Sequence, residues 1–379
     1  MESKKLMNIA IVCYPTFGGS GVLATELGKV LADNGHNIHF ITYQQPVRLS
    51  GFHANVFYHE VRVPTYPLFD FPPYETALAS MMVDVVNNHD IDLLHVHYAI
   101  PHASAAYMAK QILAKQGKHL PVITTLHGTD ITLVGKDKTY SPVVTFSMEE
   151  SDVLTAVSEN LKEETYKNFA IQKPIEVIHN FVDIARFNKK PVAAFKTLLA
   201  PNGEKIIVHA SNFRKLKRVK DVVDIFLLIN QEIPSKLLLI GDGPERMELE
   251  TFTRSCGFNN EIKFLGKQEQ IEDILPIADL FLLPSEYESF GLAALEAMAA
   301  EVPVISTNAG GLPEINVHGV TGFMSNIGDV ADMSRNAIYI LSNQERLLQF
   351  KSNALAQAKQ FGIKNIVPQY EKLYSSLLV

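Results

Sequence analysis

Two glutamates bracket the run Glu288-Ser289-Phe290-Gly291-Leu292-Ala293-Ala294-Leu295-Glu296, and both carboxylates could accept hydrogen bonds from hydroxyl groups. The residues before Glu288 read as a strand and loop, and those from Leu292 onward as an apolar helix that contains Glu296. At about 1.5 Å per residue the two carboxylates would stand roughly 12 Å apart. One could then grip the hydroxyls of a sugar and the other a ribose. A diphosphate would lie between them at the N–H groups of Ser289, Phe290 and Gly291, where a helix start favours an anion. Two solvated glutamates are the ordinary alternative, but an almost wholly apolar helix offers Glu296 no polar face.

A basic cluster, Arg214, Lys215, Lys217, Arg218 and Lys220, occupies a loop between a strand and a helix. Such groups lower the barrier to departure of a nucleoside diphosphate, which gains negative charge as its bond breaks. As a nucleic-acid patch the cluster lacks interleaved aromatics apart from Phe213, and the net charge of −7 opposes that use. Near the N-terminus, Gly19-Ser20-Gly21-Val22-Leu23-Ala24 satisfies the G-x-G-x-x-G/A fingerprint. A dinucleotide site also needs an acidic residue about 20 positions on, where this chain has Thr42-Tyr43-Gln44-Gln45. The loop therefore keeps only its capacity to approach a phosphate or carboxylate closely. His95, His97 and His102 could ligate a metal, yet no Asp-x-Asp pair accompanies them, so packed or cleft-lining histidines are expected and no metal cofactor. His127 ends a strand just ahead of Gly128, where open α/β sheets present ligand-binding groups.

The elements that must carry these residues alternate. Strands are expected at 8–14, 38–43, 55–63, 92–98, 121–127 and 152–157, with helices at 22–34, 74–88 and 102–115. The rhythm restarts with strands at 205–210, 236–240, 262–265, 280–284 and 303–307, and helices near 219–233, 245–256 and 292–300. The tail 345–378 reads as helical, with interruptions at Gly362 and Pro368. Such alternation implies parallel, doubly wound sheets, and 379 residues exceed one ordinary domain. The hydrophobic content of 47% with 20% charged residues fits a chain folded nearly throughout. Cys13 and Cys256 form no disulfide framework, and neither a signal peptide nor a membrane-length apolar run is legible. A cytoplasmic protein free of membrane and nucleic acid is expected.

In their order these motifs resemble the family 4 glycosyltransferases: Glu288 and Glu296 as E-x7-E, the continuation 303–315, His127-Gly128-Thr129-Asp130, the run 177–183 and Gly241-Asp242-Gly243-Pro244-Glu245. The resemblance implies the GT-B architecture, two Rossmann-like domains facing a central cleft: an acceptor domain 1–180, a linker 181–204, a nucleotide-sugar domain 205–355, and a helix 356–379 crossing back. It implies donor contacts from Gly19, Asn212, Arg214, Lys217, Gly241, Gly266, Lys267, Glu288, Ser289, Phe290, Gly291, Leu292 and Glu296, with catalysis by Glu288, His127, Arg214 and Lys217. Gly266 and Lys267 would face the base. The family usually carries an Arg five residues before its Lys; here Asn212 holds that place and Arg214 is displaced by two.

Within the family, the runs 13–21, 95–102 and 211–215 are similar to those of members that transfer N-acetylglucosamine from UDP-GlcNAc to L-malate, the first step of bacillithiol assembly. Malate is a small dianion, and Ser20, the loop amides, Tyr98, Thr125, Asn180 and Arg214 would form its polar pocket. The resemblance implies retention of anomeric configuration. No motif carboxylate is an obvious nucleophile, so front-face attack is favoured, the leaving phosphate taking the acceptor proton. A lipid or polysaccharide acceptor, a sugar-nucleotide epimerase of the same architecture and a non-catalytic sensor stay open, as does assembly into a homo-oligomer.

Overall fold

Short, mostly aliphatic runs, most of them buried on both faces and followed by a helix, build two all-parallel sheets in the computed structural model of the chain. It describes residues 6–16, 18–49, 51–64, 67, 70–188 and 193–378. The chain divides into one unit of Met1–Asn180 with Ile366–Val379 and a second of Phe181–Asn365.

The first unit holds strands β1 (Asn8–Val12), β2 (Asn37–Thr42), β3 (Val56–Glu60), β4 (Leu93–His97), β5 (Val122–Leu126), β6 (Val153–Ala156) and β7 (Ile175–Val177), in the order β3-β2-β1-β4-β5-β6-β7. The second holds β8 (Lys205–Ala210), β9 (Ser235–Ile240), β10 (Ile262–Gly266), β11 (Leu280–Leu283), β12 (Val304–Thr307) and β13 (Gly322–Ser325), in the order β10-β9-β8-β11-β12-β13. Strand order reverses between β1 and β4 in one unit and between β8 and β11 in the other. At such points the loops leaving the carboxyl ends diverge and open a crevice for ligands. The second unit's core is packed by Phe213, Phe226, Ile229, Leu239 and Leu282.

The expected doubly wound class is present in both units, with local differences. The helix expected from Val22 begins at Gly19 and runs to Asp33, because a first turn needs no amide acceptor behind it and small residues let it start against the β1 loop. Gly21 is packed so tightly there that a Cβ would lie 2.3 Å from the Tyr14 carbonyl oxygen. That contact accounts for a glycine in the fingerprint without any dinucleotide. Phe17, in the same loop, lies outside the described residues.

Residues 181–204 carry two short helices, Ile184–Phe187 and Ala193–Leu199, and are tied to the second unit by the ion pairs Arg186–Glu272 (2.9 Å) and Lys196–Asp279 (3.3 Å). Residues 189–192 lie outside the described residues. The tail breaks at Gly362, between helices Gln344–Ala358 and Ile363–Leu377, but not at Pro368. Proline there removes a single amide donor, while Ile366, Val367, Tyr370, Leu373 and Tyr374 bury one face of the continuing helix.

Candidate active site

In the second unit the chain leaves the neighbouring strands β8 and β11 into the loops 211–217 and 284–291. His209 ties them together. Its Nδ1 lies 2.8 Å from the Leu282 carbonyl, so it must donate, and Nε2 accepts from the Ser211 hydroxyl at 2.7 Å. Burial pushes this imidazole down to about 4, which keeps it neutral. Beyond it, Phe213 is fully buried; its N–H donates to the Asp242 carbonyl at 3.1 Å and its own carbonyl accepts from Glu245. The Gly241 N–H donates to the Gly266 carbonyl at 2.8 Å, so the exits of β8, β9 and β10 form one connected rim.

A short 3-10 turn, Lys215–Lys217, delivers Lys217 Nζ to Glu288 Oε1 at 2.6 Å, and the Ser285 hydroxyl donates to the same oxygen at 2.8 Å. The paired side chains are only 17% and 14% exposed. The rest of the basic cluster divides. Arg218 is held by Asp221 (2.7 Å) and Glu286 (3.1 Å), and Lys220 by Asp224 (2.7 Å). Arg214 and Lys215 are exposed and have no ion-pair partner among the described residues.

The Glu288 backbone is fixed as firmly as its side chain. Its carbonyl accepts from the Gly311 N–H at 2.8 Å, and a Cβ on Gly310, whose φ is +61°, would sit 2.0 Å from that oxygen. Any L side chain at 310 would push the Glu288 loop away. Gly291 then caps the helix Leu292–Ala299 at φ 98°, and the opening amides of that helix have no acceptor within it. Glu296 lies in the second turn of this helix, 8% exposed.

The first unit gathers a different set. Ser20, in the first turn of Gly19–Asp33, shares a 2.7 Å hydrogen bond with the Tyr98 hydroxyl. Tyr98 directly follows β4 and has φ +88°, a conformation that costs a non-glycine residue about 1–3 kcal/mol. Its surroundings over-determine it. The Tyr98 N–H donates to the Thr125 carbonyl at 2.9 Å, and its ring packs against Tyr14 (5.3 Å) and His127 (5.2 Å).

His97 Nδ1 and His127 Nε2 share a hydrogen bond of 2.8 Å. His102 Nδ1 donates to the His97 carbonyl, which leaves its Nε2 as a bare acceptor; that atom and His97 Nε2 are buried without a partner. Asp130 collects the N–H groups of Ala99 and Gly128, each at 3.0 Å. Further in, His95 bridges the Tyr374 hydroxyl (2.8 Å) and Thr125 Oγ1 (2.7 Å), and Thr125 bonds Thr155 at 2.6 Å.

Comparison with known proteins gives this geometry a lineage. The family described as Glycosyltransferase Family 4 matches residues 17–186, and Glycosyl transferases group 1 matches residues 193–357. The chain is 45% identical over 374 residues to the N-acetyl-alpha-D-glucosaminyl L-malate synthase of Bacillus anthracis, covering 98% of this chain and 97% of that one. It belongs to the GT-B glycosyltransferases. An uncharacterised glycosyltransferase of Methanocaldococcus jannaschii is 26% identical to it over 372 residues, covering 97% of each. In fold it is similar to the crystal structure of Anabaena HepE in complex with UDP and glucose, at 22% identity and a TM-score of 0.82 over 98% of this chain and 100% of that one. Among the described residues of this glycosyltransferase no helix is long and apolar enough to cross a membrane.

The residues expected to act are placed unevenly in the glycosyltransferase. Lys217 and Glu288 are in contact; Ser289, Phe290, Gly291 and Leu292 lead from Glu288 into the helix; Asn212, Arg214, Gly241 and Lys267 lie on the rim loops, and Gly266 ends β10. The helical rise of about 1.5 Å per residue applies only from Leu292, so the 12 Å span to Glu296 is not a helical one. Ser20 and Tyr98 meet, with His127 beside them, and Gly19 opens the adjoining helix. Thr125 does not line this group. Its hydroxyl is fully buried and engaged by His95 and Thr155, since a strand interior flanked by two polar neighbours satisfies it internally. Asn180 is buried, with Oδ1 unpartnered. Sequence reasoning assigned no role to Ser285, Gly310, Asp130 or Tyr374. The Gly310-Gly311 pair was the visible signal for the first two, but its meaning depends on a contact across 22 residues of chain.

Gly310→Ala should displace the Glu288 loop and lower kcat/KM about 100-fold, the cost of a misplacement near 1 Å. Steady-state kinetics alongside a thermal melt checks it; an unchanged kcat/KM would refute the positioning.

The histidine group sets a pH dependence of stability. Burial pushes His95 and His127 down to about 3, His102 to about 4 and His97 well below its ordinary value. These groups accept protons in the unfolded chain near 6.5 but not in the folded one, so their contribution is present above about 6.5 and lost as pH falls. Burial pushes the Asp130 carboxyl up to about 6, against the pull of its N–H donors, and acts oppositely between about 4 and 6. Each withheld proton is worth about 1.4 kcal/mol per pH unit, and four histidines outweigh one carboxylate. Urea denaturation at pH 7.5, 6.5 and 5.5 should show stability falling with acid; a flat or rising profile would contradict the burial.

Proposed function

We propose that this glycosyltransferase transfers N-acetylglucosamine from UDP-GlcNAc to the hydroxyl of L-malate, with retention at the anomeric carbon. The observation that carries the transferase reading is the Lys217–Glu288–Ser285 constellation set ahead of a glycine-capped helix start. The likeness to a GlcNAc-malate synthase over nearly the whole chain supports the choice of substrates.

The carboxylate of Glu288 is held by a cation and a hydroxyl, so it is aimed before substrate arrives. When the donor binds, Glu288 takes the 3- and 4-hydroxyls of the sugar, and Lys217 turns to the diphosphate together with the exposed Arg214. The opening amides of the helix Leu292–Ala299 receive the phosphates, and Glu296 the ribose. Bond cleavage moves charge onto the UDP oxygens, where fixed cations are worth most. The malate hydroxyl attacks from the face that UDP leaves, and its proton passes to the departing phosphate. These cations already neutralise the diphosphate, so no metal cofactor is assigned to the reaction.

Ser20 and Tyr98 supply hydroxyl donors for malate, beside the free amides that begin the helix Gly19–Asp33. His127 stays neutral next to His97 and accepts or donates only hydrogen bonds. Thr125 and His95 act beneath it as support.

Purified protein with UDP-GlcNAc and EDTA should release UDP only when L-malate is added, with a GlcNAc-malate product by mass and an α-anomeric proton by NMR. UDP-ManNAc formed without acceptor would replace the reading with an epimerase. Lys217→Met should lower kcat about 100- to 1,000-fold, the range seen when one preorganised donor to a developing anion is lost. A loss confined to KM would assign Lys217 to ground-state binding alone.

A further inference from the structure

Three histidines outside the candidate active site converge on one face of the first sheet. His39 lies on β2, His59 on the neighbouring edge strand β3, and His89 at the C-terminal end of the helix Tyr74–Asn88. In the parallel register His39 stands opposite Phe57 and Ile41 opposite His59, so His39 and His59 point to the same face one diagonal step apart. Their nitrogens, His39 Nδ1 and His59 Nε2, are 2.9 Å apart, and one nitrogen from each of the three rings lies within 4.8 Å of the others. His39 is buried, His59 half-buried and His89 exposed, which leaves one side of the group open to solvent.

We propose that His39, His59 and His89 form a binding site for a divalent transition-metal ion of the imidazole-preferring class, Zn(II) or its neighbours. Zinc bonds of about 2.0–2.1 Å in a tetrahedral arrangement place ligand nitrogens about 3.3 Å apart. The three rings bracket that spacing, so small rotations complete the set. The proton shared by His39 and His59 moves to the far nitrogen of its own ring, a change of tautomer with no net proton released. Burial and the neighbouring imidazoles hold His39 down to about 4 and His59 below its ordinary value, so both are neutral ligands near pH 7. Asp84, one turn back on the helix and acting on His59, offers a compensating charge. The open side admits water as fourth ligand. An all-nitrogen set disfavours Mg(II) and Ca(II), which want oxygen.

The site lies away from the transfer chemistry. His39 is three residues before the carboxyl end of β2, about 10 Å along the strand. What the ion would join is the edge of the sheet. On β3, Phe57 and Tyr58 are 41% and 36% exposed, so this strand has little apolar burial of its own, and the ion ties it both to β2 and to a helix end.

The test uses full-length protein without a histidine tag, stripped by chelator and titrated with Zn(II) against a chromophoric competitor, with Co(II) as optical probe. The expected result is one equivalent per chain, tetrahedral Co(II) absorption, a raised Tm, and affinity lowered at least about 10-fold in His89→Gln and His59→Gln but unchanged in His119→Gln. Because His89 is exposed, its variant should fold and keep transferase activity. Absence of stoichiometric uptake, or uptake unaffected by His89→Gln, would overturn the site.

Discussion

Backbone pressed against backbone at the carboxyl ends of the strands is the constraint on which the second unit depends. The Glu288 carbonyl must meet the 310–311 turn, and only residues without a Cβ let the two chains come so close. Once they do, the position of the Glu288 side chain follows from covalent geometry, and Ser285 and Lys217 need only close on it. The same kind of contact in the first unit seats the helix Gly19–Asp33 against the β1 loop. Precision here comes from what is missing at certain positions.

The ion pair built on that backbone has a double character. Its members are largely desolvated, so separating them without replacement leaves an uncompensated charge, whereas exchanging each for a ligand group of matching polarity costs little. Such a pair suits a site that alternates between bound and free forms. Arg218 and Lys220, by contrast, are engaged by acidic neighbours a turn away or across the loop, and they anchor the local fold.

Much of this was legible in advance. Periodicity located the inner strands of both sheets, because parallel strands buried on both faces announce themselves as apolar runs, but not the short edge strands β7 and β13, whose three and four residues carry too little pattern. The residues that proved hard to read are those whose partners lie far along the chain. Thr125 looks like a pocket residue at a strand end until His95 and Thr155 are seen to take its hydroxyl. His95 and His97 stand two apart on one strand, yet one bonds Tyr374 and the other His127. Polar residue types announce chemistry but not the direction they face, and neighbours some 30 or 280 residues away decide that.

Tyr374 carries a further implication for the order in which the protein is made. Residues 366–379 belong to the first unit, though the whole second unit is synthesised between them and Asn180. At roughly 5–20 residues per second, His95 waits on the order of 15–55 s on the ribosome for the hydroxyl that satisfies its Nδ1. Through that interval the first unit lacks the two tyrosine rings that pack on His95, while the second, contiguous in sequence, can complete itself. The part of the chain made first is thus finished last.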